Sequence, residues 1–223
     1  MSEDLLPRAY REGRAEFFGR EFLVTRDVLI PRPETEAMVE MVMSLAGKPY
    51  LPGVAVPASV LPERPRILEG GTGSGCVAVS LKLELPEARV AACDVSEKAL
   101  KVAAKNAEKF GVLGEETGVE FVKSDLLSAV GKCDKFDVIV ANLPYVDRGW
   151  PWLSGIEDEP EIALYAGDGG LELIFRLLEQ ARGRTKYLIL EADPCQHERI
   201  VSFAEKRDYK LMRKSGFQLL FVS

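Results

Sequence analysis

Histidine and paired cysteines are what this 223-residue chain has least of. Its four cysteines, Cys76, Cys93, Cys133 and Cys195, include no C-x-x-C pair, which removes the usual paired-thiol metal and redox motifs. Two of them fall in segments expected to be buried, so reduced structural thiols of a cytosolic protein are expected, and no metal. The one histidine, His197, falls on a helix predicted from Cys195 to Lys206, where a polar surface role is expected rather than catalysis. There is no basic-then-apolar leader and no apolar run long enough to span a bilayer, so a cytoplasmic location is expected. Positive charge is not in excess either: 29 Lys and Arg stand against 35 Asp and Glu, a net −6. No general attraction to nucleic acid or to membranes is expected from that balance. Internal repeats and low-complexity tracts are also missing.

What is present is enough apolar material, 47% of residues, for one substantial core. From Arg66 onward, apolar runs near 66–69, 89–94, 119–122, 136–141 and 186–190 alternate with helical patterns, which predicts a mostly parallel sheet covered on both faces. Two further strands, 210–213 and 217–222, flank Lys214-Ser215-Gly216 and read as a terminal antiparallel hairpin. The expectation is a Rossmann-like α/β fold on a seven-stranded sheet. Ahead of it, Pro49, Pro52, Pro57, Pro62 and Pro65 mark 49–65 as a connector, which divides the chain into 1–48, 49–65 and 66–223. Within 1–48, a helix is predicted from Glu34 to Leu45 after Ile30-Pro31-Arg32-Pro33, the prolines fixing the entry to it. Arg32, Pro33 and Glu34 are candidates for the edge of a pocket.

The most informative short motif is Asn142-Leu143-Pro144-Tyr145, directly after the apolar run 136–141. An Asn side-chain oxygen and the backbone carbonyl one residue later can together accept both hydrogens of one planar NH2 group. Proline stiffens the corner, and the Tyr ring offers a flat wall for a planar group. Position 143 needs only its carbonyl, so Leu is acceptable there; taken alone, the tetrapeptide also fits an ordinary turn after a strand.

A second motif lies upstream. The strand at Arg66-Ile67-Leu68 runs into Glu69-Gly70-Gly71-Thr72-Gly73-Ser74-Gly75, with a helix predicted from Cys76 to Leu85. Such a strand, glycine turn and helix form the entrance to a nucleotide-type site, because glycine lets a ligand approach the backbone closely and tolerates positive φ. A dinucleotide frame would need glycine where Cys76 stands, and no Gly-Lys-Ser/Thr triplet supports a phosphate loop. The acidic-x-Gly-x-Gly-x-Gly pattern that remains, with the Glu69 carboxylate placed for a cationic amino group, favours S-adenosylmethionine; a turn that only packs helix on strand is the alternative. Asp94 ends the next strand about 20 residues on, where ribose hydroxyls are met in such folds. It could instead cap the helix Glu97–Phe110, although Ser96 is the better cap. Asp125 and Leu126 could hold an adenine amino group and ring face, or form a plain strand-to-helix turn.

The segments 17–22 and 28–36, the latter including Ile30-Pro31-Arg32-Pro33-Glu34-Thr35-Glu36, together with 71–75, 142–145, Asp158-Glu159-Pro160 and Gly167-Asp168-Gly169-Gly170-Leu171, resemble the bacterial release factor glutamine methyltransferases, the HemK/PrmC family. The resemblance implies a class I S-adenosylmethionine-dependent methyltransferase that modifies the side-chain amide nitrogen of the glutamine in the Gly-Gly-Gln loop of peptide chain release factors. It also implies that the glycine turn and Asp94 hold the cofactor while Asn142 and its neighbours hold the glutamine. Three departures stand out. Family members usually carry Pro at the position of Leu143, many carry an aromatic at the position of Leu126, and they normally begin with a helical domain of several tens of residues, most of which is expected to be lacking here. A monomer is favoured. An RNA or DNA adenine-N6 methyltransferase and a noncatalytic cofactor-binding module remain alternatives, the first because adenine also presents a planar NH2.

Overall fold

The computed structural model describes residues 6–49, 58–114, 117–150, 156 and 158–223. Residues 50–57 of the proline-rich connector lie outside the described residues. A short helix, Arg8–Glu12, leads into an antiparallel pair, β1 (Arg14–Phe17) and β2 (Arg20–Leu23). A one-turn 3-10 segment, Pro33–Thr35, then feeds the helix Glu36–Leu45. The predicted helix from Glu34 is therefore shorter at its start, because Pro33 at the first position sets a tight turn rather than a full α-turn.

The main sheet has seven strands in the order β5-β4-β3-β6-β7-β9-β8. Strands β3 (Arg66–Gly70), β4 (Arg89–Asp94), β5 (Val119–Lys123), β6 (Phe136–Ala141) and β7 (Thr185–Glu191) are parallel. The hairpin β8 (Lys210–Ser215) and β9 (Gln218–Val222) closes one edge, with β9 antiparallel to β7. The expected sheet and its terminal hairpin are both present.

Successive side chains of a strand point to opposite faces, and both faces here are apolar. Ile67, Val138, Val140 and Ile189 pack under the helices Glu36–Leu45 and Cys76–Glu84. Leu68, Ile139, Leu188 and Leu190 pack under the helices Glu172–Ala181 and His197–Glu205. Full burial of each such side chain is worth about 1.5–3 kcal/mol, so the continuous apolar runs of β6 and β7 hold the middle of the sheet. The helix Glu97–Lys109 starts as expected, with the Ser96 hydroxyl accepting from the Ala99 amide at 3.2 Å. No helix among the described residues is long and apolar enough to cross a membrane.

His197 corrects the sequence expectation. It is buried, and its Nε2 lies 3.1 Å from the Ala192 carbonyl oxygen. The helix begins at His197 rather than at Cys195, because the Asp193 and Gln196 side chains form a capping box around Pro194. With Ile200 and Ala204, His197 then heads the inward stripe of that helix. Cys195, by contrast, is exposed, as is Cys133, while Cys76 and Cys93 are buried; all four thiols are free.

Burial lowers the pKa of His197 below its ordinary value. A base with a lowered folded pKa gives stability that is lost as pH falls through its unfolded value of about 6.5. Wild-type protein is therefore expected to lose Tm faster than His197→Gln between pH ~8 and ~5, at roughly 2–4 °C per kcal/mol for a chain of this size. Equal slopes in thermal melts would show that the imidazole is not held neutral.

Candidate active site

The parallel strands all end on one edge of the sheet, and β3 has β4 on one side and β6 on the other. Connections leave β3 and β6 in opposite directions there, so a crevice opens between their ends. The glycine turn, Asp94, Asp125, Leu126, Arg32 and the Asn142 corner meet at this crevice.

The turn after β3 is held by groups from β4. The amides of Gly71 and Thr72 donate to the Cys93 carbonyl at 2.8 and 3.0 Å. Asp94 accepts from the Gly73 amide at 2.9 Å through Oδ2 and from the Ser96 amide at 2.8 Å through Oδ1. The Asp94 carboxylate thus shapes the turn as well as facing the cavity. Asn106, buried on the following helix, donates to the Ser74 carbonyl at 2.8 Å and to the Leu23 carbonyl at 2.9 Å, tying the turn to β2. The three glycines at 71, 73 and 75 all have positive φ but serve different ends. A Cβ on Gly71 would come within 2.9 Å of Leu143 Cδ2, and one on Gly75 within 2.9 Å of Ala103 Cβ, whereas one on Gly73 would meet open space. Gly71 and Gly75 permit packing; Gly73 leaves room for a ligand.

Glu69 is buried, and its Oε2 accepts from the Thr72 hydroxyl at 2.5 Å and the Ala78 amide at 3.1 Å. Burial outweighs those two bonds and pushes the carboxyl up to about 8. It makes no ion pair among the described residues. After β5, Asp125 and Leu126 also line the cavity; Asp125 is exposed and paired with Arg176 at 2.6 Å, and Leu126 is buried with φ 51°.

The corner after β6 is tightly placed. The Asn142 amide nitrogen donates to the Thr35 hydroxyl at 3.0 Å and to Glu191 Oε1 at 2.8 Å, which leaves Oδ1 on the opposite side of the amide. Leu143 is only 3% exposed and packs on Gly71, so its side chain has a structural task in addition to its carbonyl. The Tyr145 carbonyl accepts from Gln196 Nε2 at 2.7 Å, and a Cβ on Gly170 would fall 1.9 Å from the same oxygen. Burial raises the Tyr145 phenol above its ordinary pKa.

Two cavities meet at this corner. One, of about 330 Å³, is lined by Glu69, Gly71 to Ser74, Asp94, Asp125, Leu126 and Asn142 to Pro144, and by Asp27 to Arg32 and Thr35 from the segment before the connector. The other, of about 230 Å³, is lined by Tyr145, Trp150 and Glu191 among others. Asn142, Leu143 and Arg32 border both. Arg32 is ion-paired with Glu159, whose other oxygen accepts from the Ile30 amide at 3.1 Å. Pro33 and Glu34 are exposed and border neither cavity, and Gly75 packs behind the turn.

Thr35, Asn106, Glu159 and Glu191 were missed as site residues. Glu191 carried a usable signal, a lone acid closing a buried strand, the same pattern that singled out Asp94. Asn106 carried a weaker one, a polar residue on the inward stripe of an amphipathic helix.

Together, this sheet order, the glycine turn between β3 and its helix and the crevice at the strand ends define the class I methyltransferase fold. A methyltransferase from Pyrococcus furiosus shares it, with a TM-score of 0.63 at 20% identity over 92% of this chain and 89% of that one. Residues 52–150 match the family described as Methyltransferase small domain. The chain is similar to release factor glutamine methyltransferases: it is 42% identical to that of Koribacter versatilis over 177 residues, 78% of this chain and 57% of the other. It is 40% identical to that of Neisseria gonorrhoeae over 190 residues, 83% of this chain and 63% of the other. The chain thus spans roughly three fifths of the length of these curated relatives.

The glycine geometry yields a ranking. Gly75→Ala, which forces a left-handed alanine against the backbone of a helix, is expected to cost more stability than Gly73→Ala, which carries the left-handed strain of roughly 1–2 kcal/mol alone. Urea unfolding of the two variants checks it, and a reversed order would contradict the packing described.

Proposed function

We propose that this chain transfers a methyl group from S-adenosylmethionine to the side-chain amide nitrogen of the glutamine in the Gly-Gly-Gln loop of peptide chain release factors. The observation that carries this reading is Asn142 standing on the wall shared by two cavities, its nitrogen engaged behind and its oxygen left for a donor. The names of the two relatives above support it, and the net charge of −6 speaks against a nucleic-acid substrate.

The larger cavity suits the cofactor. Gly73 leaves room where any side chain would intrude, and Glu69 is a buried acid with no ion-pair partner among the described residues. In this reading Glu69 meets the ammonium group, Asp94 the ribose hydroxyls, and Asp125 and Leu126 the adenine. Bound there, the cofactor supplies an electrophilic methyl group on a sulfonium.

The smaller cavity, walled by Tyr145, takes the glutamine amide. Its nitrogen is a poor nucleophile because its lone pair is delocalised, so orientation carries much of the acceleration. Hydrogen bonds from the NH2 group to Asn142 Oδ1 and the Leu143 carbonyl fix its face toward the larger cavity. They strengthen as positive charge grows on nitrogen, which stabilises the transition state more than the bound substrate. No base is needed before transfer, since the proton becomes acidic only afterwards. Arg32, bordering both cavities, sits where a substrate backbone would pass.

Mass spectrometry of a release-factor Gly-Gly-Gln peptide, incubated with protein and cofactor, should show one added methyl on the glutamine; an unmodified peptide beside a methylated RNA would replace the reading. Asn142→Ala should lower kcat by roughly a hundred- to a thousandfold while cofactor binding by calorimetry is nearly unchanged. Because the Glu69 carboxyl sits near about 8, it is largely protonated at neutral pH and must ionise to meet an ammonium. Cofactor affinity is therefore expected to rise with pH up to that value, and Glu69→Gln to remove the dependence.

A further inference from the structure

We propose that Glu191 is a positioning residue for the transfer: with the Thr35 hydroxyl, its carboxylate holds the Asn142 amide in the one orientation that turns Oδ1 toward the cavities. The proposal rests on the functional reading above, since only a donor substrate requires an acceptor at that point.

A side-chain amide has nearly the same shape in either of its two flipped states, so packing does not choose between them. Flipped, Asn142 would present its own NH2 to the substrate NH2, donor against donor. The choice must come from the groups behind it. Glu191 Oε1 accepts from Asn142 Nδ2 at 2.8 Å and from the Thr35 hydroxyl at 3.2 Å. An ionised carboxylate has no hydrogen to give. The Thr35 hydroxyl has one, and once that is donated to Glu191 its oxygen can only accept from Asn142, at 3.0 Å. A flipped amide would set an oxygen against a carboxylate oxygen and a hydroxyl lone pair, two repulsions in a buried place where they are poorly screened.

Glu191 is itself fixed from the far side. Its Oε2 accepts from Gln218 Nε2 at 3.1 Å, and that nitrogen also donates to the Glu34 carbonyl at 2.7 Å. The groups facing Glu191 are Thr35 and the Glu34 carboxylate from the entry loop, Asn142 and the Tyr145 phenol from the corner after β6, and Gln218 from β9. No Lys or Arg forms an ion pair with it among the described residues. One acid thus sets the direction of three hydrogen bonds, and a single proton on it would undo the set.

Glu191→Gln tests this, because glutamine keeps the shape but can pair with Asn142 in either state. At saturating cofactor, kcat on the Gly-Gly-Gln peptide is expected to fall roughly tenfold to a hundredfold, with the cofactor Kd unchanged. Burial and the Glu34 charge push the Glu191 carboxyl up to about 6. Wild-type kcat should therefore drop as pH falls through that value, when the carboxyl gains a hydrogen and becomes a donor, and Glu191→Gln should lack this acid limb. A residue that served only the fold would lower Tm without moving the pH profile. In nitrogen-edited NMR, the Asn142 side-chain NH2 signals should titrate with the same midpoint in wild type and be doubled or broadened in Glu191→Gln. A variant with kcat within about twofold of wild type and an unchanged acid limb would overturn the proposal, as would Asn142 signals indifferent to the substitution. Should wild-type protein methylate no release-factor peptide, the substrate reading alone fails, and the NMR arm still decides the orientation.

Discussion

The buried hydrogen bonds between Asn142, Glu191 and Thr35 join parts of the chain that are far apart in sequence. Thr35 comes from the proline-fixed loop before the first long helix, Asn142 from the end of β6 and Glu191 from the end of β7. Adjacent parallel strands bring the last two together, since Ala141 pairs with Leu190. The loop must then close over both for the set to be complete. Polar groups this well buried are costly unless every one is satisfied, so the network constrains where the loop can lie. That loop also carries Ile30 and Arg32, which Glu159 fastens from another part of the chain. The roof of the larger cavity is therefore positioned by the same interactions that set the floor of the smaller one.

Two acids in the site are raised for the same reason and suit different tasks. Glu69 lies deep beneath the glycine turn, and burial carries it to about 8 despite two hydrogen bonds to its charged form. Glu191 has more donors around it, from Thr35, Asn142 and Gln218, and rises only to about 6. A group near 8 answers readily to an arriving positive charge. A group near 6 is mostly ionised in neutral solution and acts as a fixed acceptor. The difference follows first from the greater desolvation of Glu69 and second from the additional hydrogen bond that Glu191 accepts.

Much of this was legible in the sequence. The five parallel strands and the terminal hairpin follow from apolar runs of strand length separated by helical patterns, and the glycine turn announced itself because few other tasks call for that spacing of glycines. Ser96 was readable as a cap from its place before Glu97. His197 was misread because polarity was taken as a sign of the surface, whereas a capping box one turn earlier had shifted the helix start and turned the residue inward. Thr35 was hidden for another reason, being ordinary in its own neighbourhood; Glu191 closes a buried strand as Asp94 does, but only the pairing of β6 with β7 and the fold-back of the entry loop bring the two to Asn142. Pro33 and Glu34, singled out beside Arg32, line neither cavity, although the Glu34 charge acts on Glu191 and Tyr145; the 3-10 turn they open buries Thr35 in their place.

The antiparallel pairing of β9 with β7 sets Gln218 opposite Glu191, and this reaches beyond the sheet edge that it covers. A nascent chain is threaded out from its amino end at about 5–20 residues per second. All the strands that carry the glycine turn and the Asn142 corner can emerge and pair while the residues of the hairpin are still inside the ribosome. Until Gln218 arrives, the outer oxygen of Glu191 has only water to hold it, and the pocket stays unfinished. The polar set around Glu191 is thereby completed only when the hairpin arrives, after the strands that form its scaffold are already in place.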